Sequence, residues 1–124
     1  MVDVATFTRR FEALVRGGVG PGLPRRVQNR HILLKAVALG LEQNRVYSES
    51  ALGEALDAWL DSAGPQVDID RVSLRRALVD HGYVSRDSAG HSYRVESPGT
   101  VAFDPEVNAL DIRRILRDIS SPPE

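Results

Sequence analysis

The sequence predicts a mainly α-helical fold carrying one small β-hairpin. Two observations carry that expectation. Five segments space their apolar residues at three- and four-residue steps, and a stretch of turn chemistry, Asp87-Ser88-Ala89-Gly90-His91, separates two short runs of mixed apolar and polar residues. A third sets the scale: 124 residues, 42% hydrophobic and 27% charged, suit one globular domain over residues 1–124 and argue against wholesale disorder.

The first helix, within residues 1–16, is marked by Val4, Phe7, Phe11, Leu14 and Val15 on one stripe. Gly17-Gly18-Val19-Gly20-Pro21-Gly22 breaks the chain and reads as a flexible linker. A phosphate loop would need a preceding strand and a following Lys-Ser/Thr, and neither is present. The second helix, from Val27 to Gln43, is apolar on two sides, with Val27, Leu34, Ala38 and Leu41 opposite Ile32, Ala36 and Leu39. Such a helix has to be covered on both faces, by the N-terminal helix, the C-terminal helix or both.

Val46-Tyr47 is a brief extended stretch, and Ser48 or Ser50 suits the N-cap of a third helix with Leu52, Ala55, Leu56 and Trp59 on one face. Gly64-Pro65 ends it. The fourth helix runs from Asp70 to His81 and stops at Gly82, a glycine placed for a left-handed C-cap. Tyr83-Val84-Ser85-Arg86 and Ser92-Tyr93-Arg94-Val95 form the hairpin strands, Ser97-Pro98-Gly99 leaves it, and Val101-Ala102-Phe103 is a further extended piece. A last helix over 104–119 opens on Asp104-Pro105-Glu106, buries Ile112, Ile115, Leu116 and Ile119, and turns Arg113, Arg114 and Arg117 outward. Residues 120–124 read as a frayed tail.

The central order of helix, short strand, helix, helix and hairpin is that of a winged helix-turn-helix core, here residues 23–95, flanked by N- and C-terminal helices. Leu23-Pro24-Arg25-Arg26, Val46-Tyr47-Ser48-Glu49, the block from Leu74-Arg75-Arg76-Ala77-Leu78-Val79-Asp80-His81-Gly82 to Arg86, and Gly90-His91-Ser92-Tyr93-Arg94-Val95 resemble, in that order, a bacterial domain-of-unknown-function family numbered 2087. The stretch Ser62 to Asp68 is longer than the connection that family has there. The resemblance implies a winged-helix-like domain of the kind attached to transcriptional regulators, and it brings no catalytic residues.

Charge is unevenly spread. The total is only -1, which rules out a uniformly polycationic coat. Basic residues nevertheless dominate 9–35 and 71–95, while acidic residues dominate 42–70 and the C-terminal stretch. Lys35 is the one lysine, and the arginine preference is explained more simply by a GC-rich genome than by selection for guanidinium forks.

In DNA recognition the fourth helix takes the reading position. With Leu74 inward, Ala77, Leu78 and His81 share its face, and Ser73, Arg76 and Asp80 point outward beside Arg75. Arg76 suits a guanine edge and Ser73 a phosphate. Arg86 and Arg94 on the hairpin reach backbone or minor groove, and Arg25, Arg26 and Arg30 extend the basic set. Two features oppose this. Arg75 and Arg76 could pair with nearby acids, and Val72 and Val79 form a second apolar stripe suited to a protein partner.

No cysteine is present, which excludes disulfides, thiol catalysis and Cys-ligated zinc. His31, His81 and His91 have no ligand spacing, and no Gly-x-Ser-x-Gly frames a nucleophile, so no catalytic residue, metal or cofactor is expected. Trp59, Tyr47, Tyr83 and Tyr93 could form a stacking platform but are expected in the core, Tyr93 beneath the wing. The expected protein is a cytoplasmic, non-enzymatic binder of double-stranded DNA, without a membrane span or signal peptide, acting as a homodimeric regulator through its terminal helices. The alternative is a winged-helix module for protein–protein contact that does not bind DNA.

Overall fold

Short polar side chains open the helices. Asp3 Oδ1 accepts the Thr6 N–H at 2.7 Å, Ser48 Oγ accepts the Ala51 N–H at 3.0 Å, and Asp70 Oδ1 accepts the Ser73 N–H at 2.8 Å. In the computed structural model, which describes residues 1–18, 20–99 and 101–120, these caps launch α1 (Val4–Ala13), α3 (Glu49–Ala63) and α4 (Arg71–Asp80). A wider turn, Leu14–Gly18, prolongs α1 and kinks at Gly17. The remaining elements are α2 (Val27–Leu39), β1 (Tyr47–Ser48), β2 (Val84–Arg86), β3 (Ser92–Val95), a 3-10 turn over Pro105–Ala109 and α5 (Ile112–Ser120). The chain is thus mainly helical with a small antiparallel sheet, and the expected central order is present.

Four local expectations need correction. The second helix ends at Leu39 rather than Gln43, because Gly40 closes it and the Gln43 amide donates to the Ala38 and Leu41 carbonyls at 2.9 and 2.8 Å. A Cβ at Gly40 would stand 2.7 Å from Trp59 Cδ1, so no side chain fits there. The last helix is not continuous over 104–119. Leu110 is extended, and Asp111 Oδ1 caps the Arg114 N–H at 3.1 Å, starting α5 afresh.

The hairpin is also not alone. β1 adds to it, giving the order β1-β3-β2 with Tyr47 opposite Tyr93 and Ser48 opposite Ser92. Finally, the glycine-rich segment is not a loose linker in its described part. Pro21 bridges Asp68, and the Gly22 N–H donates to the Asp68 carbonyl at 2.8 Å. The long connection after α3 is therefore fastened twice, by this bridge and by Val67, which is 5% exposed. Val19 and the tail residues 121–124 lie outside the described residues.

The core is built around α2, in which every residue from His31 to Ala38 is buried. Phe7 and Phe11 of α1 cover one side, and α4 approaches another. Phe11 meets Trp59 at a ring separation of 6.2 Å, and Phe7 meets Phe103 edge-on at 5.9 Å. Val2 fastens this cover: its N–H donates to the Ala102 carbonyl at 2.9 Å, and its own carbonyl accepts the Asp104 N–H at 2.8 Å. The expected extended piece at 101–103 thus pairs in parallel with the extreme N-terminus. The C-terminal helix packs against α3, burying Ile112 and Leu116. Lys35 is buried as well, with Nζ 5.9 Å from the Phe103 ring centre.

One polar pair crosses this core. His31 Nδ1 lies 2.7 Å from the Tyr83 hydroxyl, and the His81 ring stacks edge-on against His31 at 5.3 Å. Burial pulls the His31 imidazole below its ordinary value, and positive charge at His81 and Arg30 pulls it further. Burial also pushes the Tyr83 phenol far up, so it keeps its proton. In the unfolded chain His31 takes up a proton from about pH 6.5 downward, whereas in the fold it resists. Its stabilising contribution is therefore complete above that value and is lost as the pH falls toward the lower folded pKa. Urea midpoints measured at about pH 7.5 and about pH 5 are expected to fall with acidity in the native chain and to change less in His31→Gln. Equal falls in both would remove His31 as the cause.

Candidate nucleic-acid interface

The outer face of α4 is set by the burial of its inner one. Leu74, Ala77 and Leu78 are buried, so Ser73, Arg76 and Asp80 face outward as expected. The hairpin folds against this helix with Val84 opposite Val95, Ser85 opposite Arg94 and Arg86 opposite Tyr93. Side chains alternate along a strand. Arg86 therefore shares the Tyr93 face, and Arg94 lies on the other.

A groove of about 210 Å³ runs between α4 and the hairpin, lined by Val72, Arg75, Arg76, Val79, Asp80, Arg86 and Tyr93. Its base is Tyr93, buried beneath the hairpin as expected. Val72, 54% exposed, forms part of its wall. Three guanidinium groups and one carboxylate thus meet at one opening.

These arginines are not equivalent. Arg75 Nη1 donates to Glu49 Oε1 at 3.0 Å, and its guanidinium carbon lies 5.8 Å from the Tyr93 ring centre. Arg71 Nη1 donates to Asp57 Oδ2 at 2.9 Å. Both pairs stitch α4 to the acidic α3. Among the described residues Arg76 and Arg86 have no carboxylate partner; Arg86 folds against the Gly90 turn, where a Cβ would collide with it. The rival expectation of acid pairing therefore holds for Arg75 and not for Arg76.

The other expected site residues are placed elsewhere. Ser73 Oγ donates to Asp70 Oδ2 at 2.8 Å, so its donor is committed to a carboxylate. The Ser73 N–H and hydroxyl hold that carboxyl below the usual aspartate range, leaving a negative charge where a phosphate would come. Arg94 borders a separate depression with Gln43, Asn44, Arg45, Val46, Val95 and Glu96. Arg25 and Arg26 border another with Gly20, Pro21 and Asn29, none of them from α4 or the hairpin. Arg30 is half-buried and donates to the Pro24 and Arg25 carbonyls at 3.2 and 3.1 Å. The fold thus brings Arg75, Arg76 and Arg86 together and leaves the other basic residues apart.

Sequence reasoning missed Glu49 and Asp57 as partners of α4. The signal was present: Glu49, Gly53 and Asp57 follow one helix face at four-residue steps, matching Arg71 and Arg75 on the facing helix. Gly53 leaves space there that the Arg71 side chain fills.

Residues 22–95 match the model of a family described as an uncharacterized protein conserved in bacteria (DUF2087). The chain belongs to this family. The groove lies wholly within the DUF2087 match, whereas α1 and α5 lie outside it. No curated protein and no solved structure matches this DUF2087 chain.

Arg75→Ala removes an ion pair and a stacking contact, and should lower stability by roughly 0.5–1.5 kcal/mol. Arg76→Ala should lie within about 0.5 kcal/mol of the native chain. Chemical denaturation of the two variants tests the distinction, and a loss at Arg76 as large as that at Arg75 contradicts it.

Proposed function

We propose that the protein is a non-enzymatic winged-helix protein that binds double-stranded DNA through α4 and the hairpin, and acts in the cytoplasm as a transcriptional regulator. One observation carries this reading. Arg76 and Arg86 project into an exposed groove without a carboxylate partner among the described residues, and the same groove offers an apolar side chain. A guanidinium fork recognises the guanine edge, a second cation on the wing meets phosphate, and Val72 can pack on a thymine methyl group. No described helix is long and apolar enough to cross a membrane.

The acids of α3 weigh less against this reading than their number suggests. Glu49 and Asp57 are engaged by Arg75 and Arg71, so the charge nearest α4 is locally compensated. The Asp70 cap, by contrast, disfavours a phosphate at Ser73, and the reading therefore drops Ser73 as a contact.

Dimerisation through the terminal helices is less favourable than the sequence pattern suggested. Phe7, Phe11, Ile112 and Leu116 are buried in the chain's own core. What remains for a dimer is a face of mixed charge, Glu12, Asp111 and Asp118 beside Arg9, Arg113 and Arg114, and light scattering measures directly whether two copies meet there. A second reading, a protein-docking groove, is favoured by the exposure of Val72 at its wall.

Gel retardation on fragments from the chain's own operon, across a salt series, is expected to show binding that weakens as salt rises. Arg76→Ala should cost about tenfold or more, Arg86→Ala should reduce the salt slope by about one, and Arg94→Ala should matter less. Absence of retardation at low salt, or an Arg76→Ala variant that binds like the native chain, overturns DNA binding and leaves the protein-docking reading.

A further inference from the structure

Val72, Arg76 and Asp80 follow one another along α4 at four-residue steps, so they share one stripe of its outer face. All three are exposed, and all three border the groove beside the hairpin. Each offers a different chemistry: an apolar branch, a fork of N–H donors, and a carboxylate that only accepts. In the proposed complex Val72 meets a thymine methyl group and Arg76 a guanine edge, which leaves Asp80 without a counterpart.

Stability does not account for that carboxylate. Asp80 is the last residue of α4, at the helix end where negative charge is disfavoured, and no basic residue stands in the last turn to offset it. Among the described residues it has no ion pair and no side-chain hydrogen bond, although Arg76 lies one turn before it and Arg86 borders the same groove. Glu49 and Asp57 of α3 differ, since each holds an arginine of α4. In a groove that only attracted phosphate, an unpaired acid would be a loss.

A carboxylate discriminates by what it repels. In the major groove guanine presents two acceptors and thymine an acceptor beside its methyl group, so both oppose it. Adenine presents its N6 amino donor beside the N7 acceptor, whereas cytosine presents the N4 amino donor. Cytosine therefore ranks first and adenine second.

We propose that Asp80 is a specificity-determining residue of α4, accepting the N4 amino group of a cytosine near the guanine met by Arg76. This role rests on the DNA-binding reading and sharpens it. Four residues rise about 6 Å along a helix, and bases follow at about 3.4 Å, so the two bases stand about two steps apart. Val72, one turn to the other side of Arg76, places the thymine on the opposite flank. The ligand is then a duplex of mixed sequence and not any polyanion. The same carboxylate opposes phosphate, and so weakens binding to duplexes that lack the cytosine.

Selection of duplexes from a random pool by the full chain should enrich a guanine with a cytosine about two positions away. Changing that cytosine should weaken binding by about tenfold. Asp80→Asn keeps the shape and adds a donor, and an amide pairs best with adenine. This variant should exchange cytosine for adenine at that one position and keep the guanine. It should also bind a duplex without the motif more tightly than the native chain does, because a negative charge is gone. Its urea midpoint should equal or exceed the native one. A native motif with no fixed cytosine, an Asp80→Asn motif identical to the native one, or a clear fall in the midpoint overturns the role of Asp80 and leaves DNA binding standing. A pool from which no duplex is retained at low salt overturns both the role and the reading on which it rests.

Discussion

A helix buried on every side from His31 to Ala38 is the constraint on which this fold depends. Eight consecutive residues of α2, including a histidine and the only lysine, are buried, so the chain must bring apolar surface to α2 from several directions. The N-terminal helix supplies Phe7 and Phe11. The α4 side supplies the region where His31 meets Tyr83 and His81. Burial of so much apolar surface favours the fold at roughly 25 cal/mol per Å², and it also explains why the polar atoms caught inside must be neutral or paired. His31 and Tyr83 satisfy each other on those terms. Lys35 sets its ammonium 5.9 Å from the centre of the Phe103 ring.

The near-zero net charge resolves into a division of labour. Acidic residues of α3 are not turned away from α4 but are consumed by it, through Glu49 with Arg75 and Asp57 with Arg71. Those exposed pairs are individually weak, and the burial of Leu74, Ala77 and Leu78 is what sets the face that α4 presents. What is left over is a small cationic surplus at one groove, made by Arg76 and Arg86. On the proposed reading that surplus, which Asp80 in the same groove reduces, orients a polyanion on a chain that carries no net positive charge.

Much of the fold was legible because periodicity and capping report on local energetics. The helices of the central region, the Ser48 cap, the start of the fourth helix near Asp70, the turn at Gly82, whose φ is +82°, and the hairpin all follow from residue spacing and turn chemistry. Failures had two sources. Gln43 folding back onto the end of α2 and Asp111 capping α5 are local side-chain bonds that compete with helix continuation, whereas the pairing of Pro21 with Asp68 is long-range. The site was legible in part for the same reason. Helical periodicity placed Arg76 outward, but strand register separated Arg86 from Arg94, and the partner of Arg75 lies 26 residues away. Register and long-range pairing are set by three-dimensional packing, which composition does not encode position by position.

The bridge between Val2 and Phe103 has a consequence for the order of assembly. Its hydrogen bonds join residues separated by nearly the whole described chain, so they close one of the longest loops the sequence permits. During synthesis α1 leaves the ribosome well before the residues that lock it across α2. Until then the most deeply buried helix is only provisionally sheltered, and apolar surface is open to association with other chains. The segment at 101–104 therefore acts as a latch on folding as much as a piece of the finished core.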